Sequence, residues 1–121
     1  MHPRLVVGVH EAEDDEEHMI SELVGLPVAN VSMYDASTAA AEAITCAVRV
    51  NNKKAEQRDV VYVSQFVPPH RLSVIRNYTL GAGIELRVLE HGRDGHIDPE
   101  SAASAAGCCA VYVEQPNAFG I

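Results

Sequence analysis

The segment Val60-Val61-Tyr62-Val63-Ser64 presents apolar side chains to both of its faces, and a strand of that kind needs cover on two sides. This requirement selects a layered α/β architecture, because parallel strands are joined by crossovers long enough to hold a helix. The sequence on the C-terminal side supplies them. Pro68-Pro69 sets up a helix through Leu72, Ile75 and Tyr78, and Gly81-Ala82-Gly83 stops it. Ile84-Glu85-Leu86-Arg87-Val88 alternates apolar and charged residues, as an edge strand does. A turn at Gly92, Asp94 and Gly95 follows, then a short alanine-rich helix from Asp98-Pro99, then Ala110-Val111-Tyr112-Val113. Strands alternating with helices predict parallel βαβ units with right-handed crossovers. The expected strand order is 84–88, 60–64, 110–113, with helices on both faces.

Two further helices are predicted upstream. From Glu13 the acids crowd where a helix N-terminus favours them, Met19, Ile20, Leu23 and Val24 recur at helical spacing, and Gly25 supplies a stop. Leu26-Pro27 opens an extended piece, Val28 to Met33. The loop Tyr34-Asp35-Ala36-Ser37-Thr38 then leads into a long helix with Ala40, Ala43, Ile44, Ala47 and Val48 on one stripe, closed by Asn51, Asn52, Lys53 and Lys54. Residues 1–121 are expected to form a single α/β domain, preceded within the same unit by the acidic segment 1–17. With three strands for this much apolar sequence, the chain reads as a piece of a larger sheet.

Charge narrows the function classes. The chain of 121 residues carries 17 acids and 9 bases, and seven of the acids lie in residues 1–22. The remainder is close to neutral, and so lacks the basic face that nucleic acid requires. The longest apolar run, Cys108 to Val113, is far below the roughly 20 residues of a membrane span. Three cysteines, two of them adjacent, do not suit a disulfide scaffold and point to a reducing cytoplasm.

Several motifs invite chemistry. Gly81-Ala82-Gly83 closes a helix and opens a strand, the reverse of the dinucleotide fingerprint. Ser64 lacks the flanking glycines of a hydrolase elbow. His10, Glu13, Asp14 and His18 in one region, and His91, Asp94, His96 and Asp98 in another, match no metal-site spacing. Cys108 and Cys109 read as small core residues. No candidate base is placed beside a candidate nucleophile, so no catalytic residue and no metal ligand is assigned. The better constellation is Asp35 to Thr38, where a helix N-terminus aims amide groups and the Ser37 and Thr38 hydroxyls at what lies in front. An anion such as a phosphate would be held there; simple capping by Asp35 explains the same residues.

These residues also resemble a family. Asn30-Val31-Ser32-Met33-Tyr34-Asp35-Ala36-Ser37-Thr38-Ala39-Ala40-Ala41-Glu42-Ala43 is similar to a motif in subunit 1 of glycine dehydrogenase (decarboxylating), the N-terminal half of the P-protein of the glycine cleavage system. Val113-Glu114-Gln115-Pro116-Asn117-Ala118-Phe119-Gly120 resembles a second segment of that family, and Val63-Ser64-Gln65-Phe66-Val67 with the helix through Arg71 and Tyr78 fits between them. The family usually has glycine where Ala36 stands, and a His-Pro order where this chain reads Pro68-Pro69-His70.

The resemblance implies a three-layer α/β fold with a mostly parallel sheet, part of the large domain of a fold-type I pyridoxal-phosphate-dependent transferase. In it the piece near Val28–Met33 lies on the opposite side of the sheet from 110–113. It implies a role in glycine decarboxylation and in passing the aminomethyl group to a lipoyl carrier protein, with glycine dehydrogenase subunit 2 as partner and the cofactor held as an imine on a lysine of that partner. The only lysines here, Lys53 and Lys54, read as a polar helix end unsuited to an imine. The chain is thus expected to bind no cofactor covalently and to be inactive alone, with Ser37, Thr38 and Asn117 as candidate cofactor-side residues. The unpaired edge of 110–113 predicts self-association. The competing reading is a complete small α/β binding or receiver-like regulatory module, for which Glu114 is the acid at a strand end.

Overall fold

The computed structural model describes residues 6–7, 14–27, 29–30, 33–52, 59–114 and 116–120. Its elements in chain order are β1 (Val6–Val7), α1 (Asp14–Val24), β2 (Ala29–Asn30), α2 (Ala36–Asn51), β3 (Val60–Ser64), α3 (Pro69–Gly81), β4 (Glu85–Leu89), α4 (Pro99–Ser104) and β5 (Ala110–Tyr112). Strands β4, β3 and β5 form one parallel sheet in that order. The doubly apolar strand therefore sits in the middle, as its composition requires.

Three layers result. Val61 and Val63 of β3 point to one face, where they pack with Ala40, Ala41, Ile44 and Val48 of α2 and with Ile75 of α3. Tyr62 points to the other, where it packs with Leu89 and with Ala105 at the end of α4, and its hydroxyl donates to the Ser104 carbonyl at 3.1 Å. The buried alanines of α2 are Ala39, Ala40 and Ala41; Ala43 and Ala47 of the expected stripe are only half-buried. Small side chains let the axis of α2 approach α3 and the sheet together. At the far end of the helix, Asn51 donates its amide to the Cys109 carbonyl at 2.8 Å and ties α2 to the start of β5.

The helix stops are chemical. Gly25 ends α1 at φ 66°, and Gly83 turns the chain from α3 into β4 at φ 69°, where a Cβ would be strained. In the turn before α4, a Cβ on Gly92 would lie 2.9 Å from Oδ1 of Asp94, so the closeness of that turn depends on glycine. Asp98 caps α4 by accepting from the Ser101 amide at 2.9 Å.

The resemblance places the extended piece near Val28–Met33 on the opposite side of the sheet from 110–113, and Val6–Val7 has no part in the sequence reading. Within the described residues, Ala29–Asn30 pairs in parallel with Val6–Val7 to make a second sheet of two strands, against which α1 and α2 pack. Strands of two residues show no alternation, so periodicity cannot reveal them. Val28, Val31, Ser32, Lys53 and Lys54 lie outside the described residues, so the reading of the two lysines as a polar helix end does too.

Candidate functional site at the carboxyl end of the sheet

Parallel strands gather their loops at their carboxyl ends, and the register aligns those ends here: Ser64 lies opposite Leu89, and Val63 opposite Tyr112. The first turn of α3, which carries Arg71, opens at the same end.

At the start of α2, Asp35 has extended backbone and caps the helix. Its Oδ1 accepts from the amides of Ser37 at 2.8 Å and Thr38 at 3.0 Å, and its Oδ2 accepts from the Thr38 hydroxyl at 2.7 Å. The Thr38 hydroxyl and then the Thr38 amide hold the Asp35 carboxyl below the usual carboxylate range against the opposing effect of desolvation, with smaller contributions from the Ser37 amide and the charge of Arg71. The seat that would take an anion is thus filled by the chain's own carboxylate.

Beside it lies a network that the sequence does not announce. Arg71 Nη1 meets Glu114 Oε1 at 2.5 Å, and the Tyr112 hydroxyl donates to the same oxygen at 2.9 Å. Arg71 and Glu114 are largely buried, at 21% and 13% side-chain exposure. Burial, then the neighbouring Glu114 carboxylate, pushes the Tyr112 hydroxyl up to about 12. The hydrogen bond to Glu114 likewise raises the Arg71 guanidinium. Arg71 Nε is buried without an acceptor.

A third group closes the corner between β3 and β4. Ser64 Oγ lies 3.4 Å from His91 Nε2, and His91 Nδ1 lies 3.1 Å from the Leu89 carbonyl oxygen. A carbonyl only accepts, so Nδ1 carries a proton and donates it to Leu89, which leaves Nε2 facing the serine hydroxyl. The Gln65 side chain accepts from the His91 amide at 3.0 Å, and the Phe66 ring lies on the imidazole with centroids 4.4 Å apart. The reading that no base stands beside a nucleophile is therefore corrected: two consecutive strand ends bring them together. The contact is long for an O–H donor, and no carboxylate orients the imidazole from behind. The pair serves as a loop anchor.

Phe119 packs edge-on to Phe66 at 4.8 Å, and Asn117 Oδ1 accepts from the Phe119 amide at 2.9 Å, so the segment after β5 folds back over this corner. Ser37 and Thr38 belong to the α2 start and Asn117 to this returning segment. Among the described residues, no group of three or more histidine, cysteine, aspartate or glutamate side chains is placed to hold a metal, and no helix is long and apolar enough to cross a membrane. His10 and Glu13 lie outside the described residues. Arg71 and Glu114 could have been found by asking which charges fall in the first turn of the helix after a central strand and just past the neighbouring strand's end.

The fold makes the chain a three-layer α/β piece built on a parallel sheet, and its relatives are specific. The family described as "Glycine cleavage system P-protein" matches residues 8–121, and the chain belongs to it. Probable glycine dehydrogenase (decarboxylating) subunit 1 of Pyrococcus abyssi is 39% identical over 98% of this chain and 26% of its own length. The same subunit of Thermococcus onnurineus is 37% identical, and that of Sulfurisphaera tokodaii 34%, with the same coverage. A crystal structure of glycine decarboxylase (P-protein) of the glycine cleavage system, in inhibitor-bound form, superposes with a TM-score of 0.67 at 38% identity, over 84% of this chain and 21% of that one. The chain spans about a quarter of the length of the curated relatives it matches. Family membership displaces the receiver-like alternative, and Glu114, paired with Arg71, is not an open acidic site.

Proposed function

We propose that this chain is one α/β unit of subunit 1 of glycine decarboxylase, acting in the cytoplasm within the glycine cleavage system. It supports decarboxylation of glycine and transfer of the aminomethyl group to a lipoyl carrier protein, and glycine dehydrogenase subunit 2 is its partner. The observation that carries the reading is the alignment of nearly the whole chain with subunit 1 relatives, with the charged and aromatic side chains gathered at one end of the sheet.

Pyridoxal phosphate, when bound, supplies the electron sink that glycine decarboxylation needs. In this reading neither Lys53 nor Lys54, in the polar stretch of sequence that follows α2, forms the imine, because a hydrated ammonium keeps its proton near neutral pH and is a poor nucleophile. The described residues do not fit an amide cradle for the cofactor's phosphate, because Asp35 holds the Ser37 and Thr38 amides. In this reading Ser37, Thr38 and Asn117 contribute to the walls of the site by their side chains, and the imine-forming lysine belongs to subunit 2. The chain alone then has no decarboxylase activity.

The test is to combine the chain, within its complete subunit, with subunit 2 and the cofactor, reduce with borohydride, and map the labelled lysine by mass spectrometry. Label on subunit 2, with glycine-dependent release of carbon dioxide only from the mixture, is the expected result. Stoichiometric label on Lys53 or Lys54, with activity depending on it, overturns the reading.

A further inference from the structure

We propose that Arg71 is a positioning residue: through Glu114 it fixes the polypeptide leaving β5, and with it Asn117 and Phe119, relative to the first turn of α3. The proposal rests on the glycine decarboxylase reading for its catalytic consequence, but not for its structural one. Arg71 stands where two segments meet: it belongs to the first turn of α3 and it grips Glu114 two residues past β5. Glu114 Oε1 receives donors from both Arg71 and Tyr112, so its direction is set by two bonds from two elements. Beyond Glu114 the chain returns to seat Phe119 on Phe66.

Stability alone does not account for this design. A largely buried ion pair is often no better than apolar residues of the same volume, because desolvation offsets the attraction. Here one donor, Arg71 Nε, is also left buried without an acceptor, which adds an unfavourable contribution. What the arginine adds over an apolar side chain is a directed, charge-assisted bond: its Nη1 and the Tyr112 hydroxyl hold one oxygen of Glu114 between them, and a lysine ammonium can take the place of Nη1. The benefit therefore lies in where Glu114, Asn117 and Phe119 are held.

Two readouts test it, on the variants Arg71→Met, Arg71→Lys and Glu114→Gln. In the chain itself, amide hydrogen exchange at Phe119 and Gly120 is expected to accelerate about tenfold or more in Arg71→Met, with the amides of β3 unchanged and with Arg71→Lys recovering most of the protection. In the enzyme assembled with subunit 2, kcat for glycine is expected to fall about tenfold in Arg71→Met with little change in KM, because a small misplacement at a reacting centre acts on the chemical step. Arg71→Lys again recovers, and Glu114→Gln is intermediate. Uniformly faster exchange through β3 as well, or unaltered exchange at 119 and 120, overturns the positioning role. Should Arg71→Met not fold, the lysine and glutamine variants decide by the same comparison. If the wild-type assembly releases no carbon dioxide from glycine, the functional reading fails while the exchange data still judge the positioning role.

Discussion

At Asp35 both carboxylate oxygens are occupied from within the chain, one by two backbone amides and one by the Thr38 hydroxyl. These bonds favour the ionised form, so the carboxyl titrates below its ordinary 3.8 in the folded chain. A group whose folded value is depressed contributes stability that is present above its unfolded value and lost as pH falls through the folded one. Asp35→Ala is therefore expected to lower the thermal midpoint by a few degrees at neutral pH. The gap to wild type should close as the solution is acidified below about 3.8. Thermal melts of both proteins from pH 7 to pH 2.5 check this; a gap independent of pH would show that the amides are held by something other than the ionised carboxylate.

Elements hold together here through a shared buried cluster. Ile75 of α3 is fully buried between α2 and β3, and Ile75→Ala is expected to cost about 3 kcal/mol, the middle of the range for such truncations. Urea unfolding of the two proteins measures it, and a loss below about 1 kcal/mol would mean that α2 and the sheet close over the gap. Such elements were legible in sequence for a physical reason. Val60–Ser64 is apolar on both faces, and α2 carries a helical stripe, so period and composition agree along their whole length. The Asp35 cap was legible because it is local. Pairing of Val6–Val7 with Ala29–Asn30 was not, since two residues have no period. Nor were the Arg71–Glu114 and Ser64–His91 contacts, which exist only once the parallel register has brought distant strand ends level.

Over the whole molecule, the main sheet has unequal edges. β4 carries Glu85 and Arg87, an exposed charged pair at 2.7 Å, whereas β5 exposes Val111 and, just beyond, Val113. Among the described strands β5 pairs only with β3, leaving one side of its backbone available for another strand. The chain in isolation is expected to self-associate through this edge, and Val111→Lys to suppress it, since charge on an edge strand opposes pairing. Sedimentation over a hundredfold range of concentration reads the outcome; a clean monomer for the wild type removes the edge as an interface.

The strand order also sets a timetable. A ribosome releases β3 before either of its neighbours, and the neighbour to follow is β4, which closes one side of the sheet through the α3 crossover. Only later does β5 arrive to take the opposite side. A nascent chain folding as it is made, at about 5–20 residues per second, thus carries its most apolar strand half-covered for the seconds between the two arrivals. During that interval the alanine face of α2, already synthesised, is the surface in place to shield Val61 and Val63.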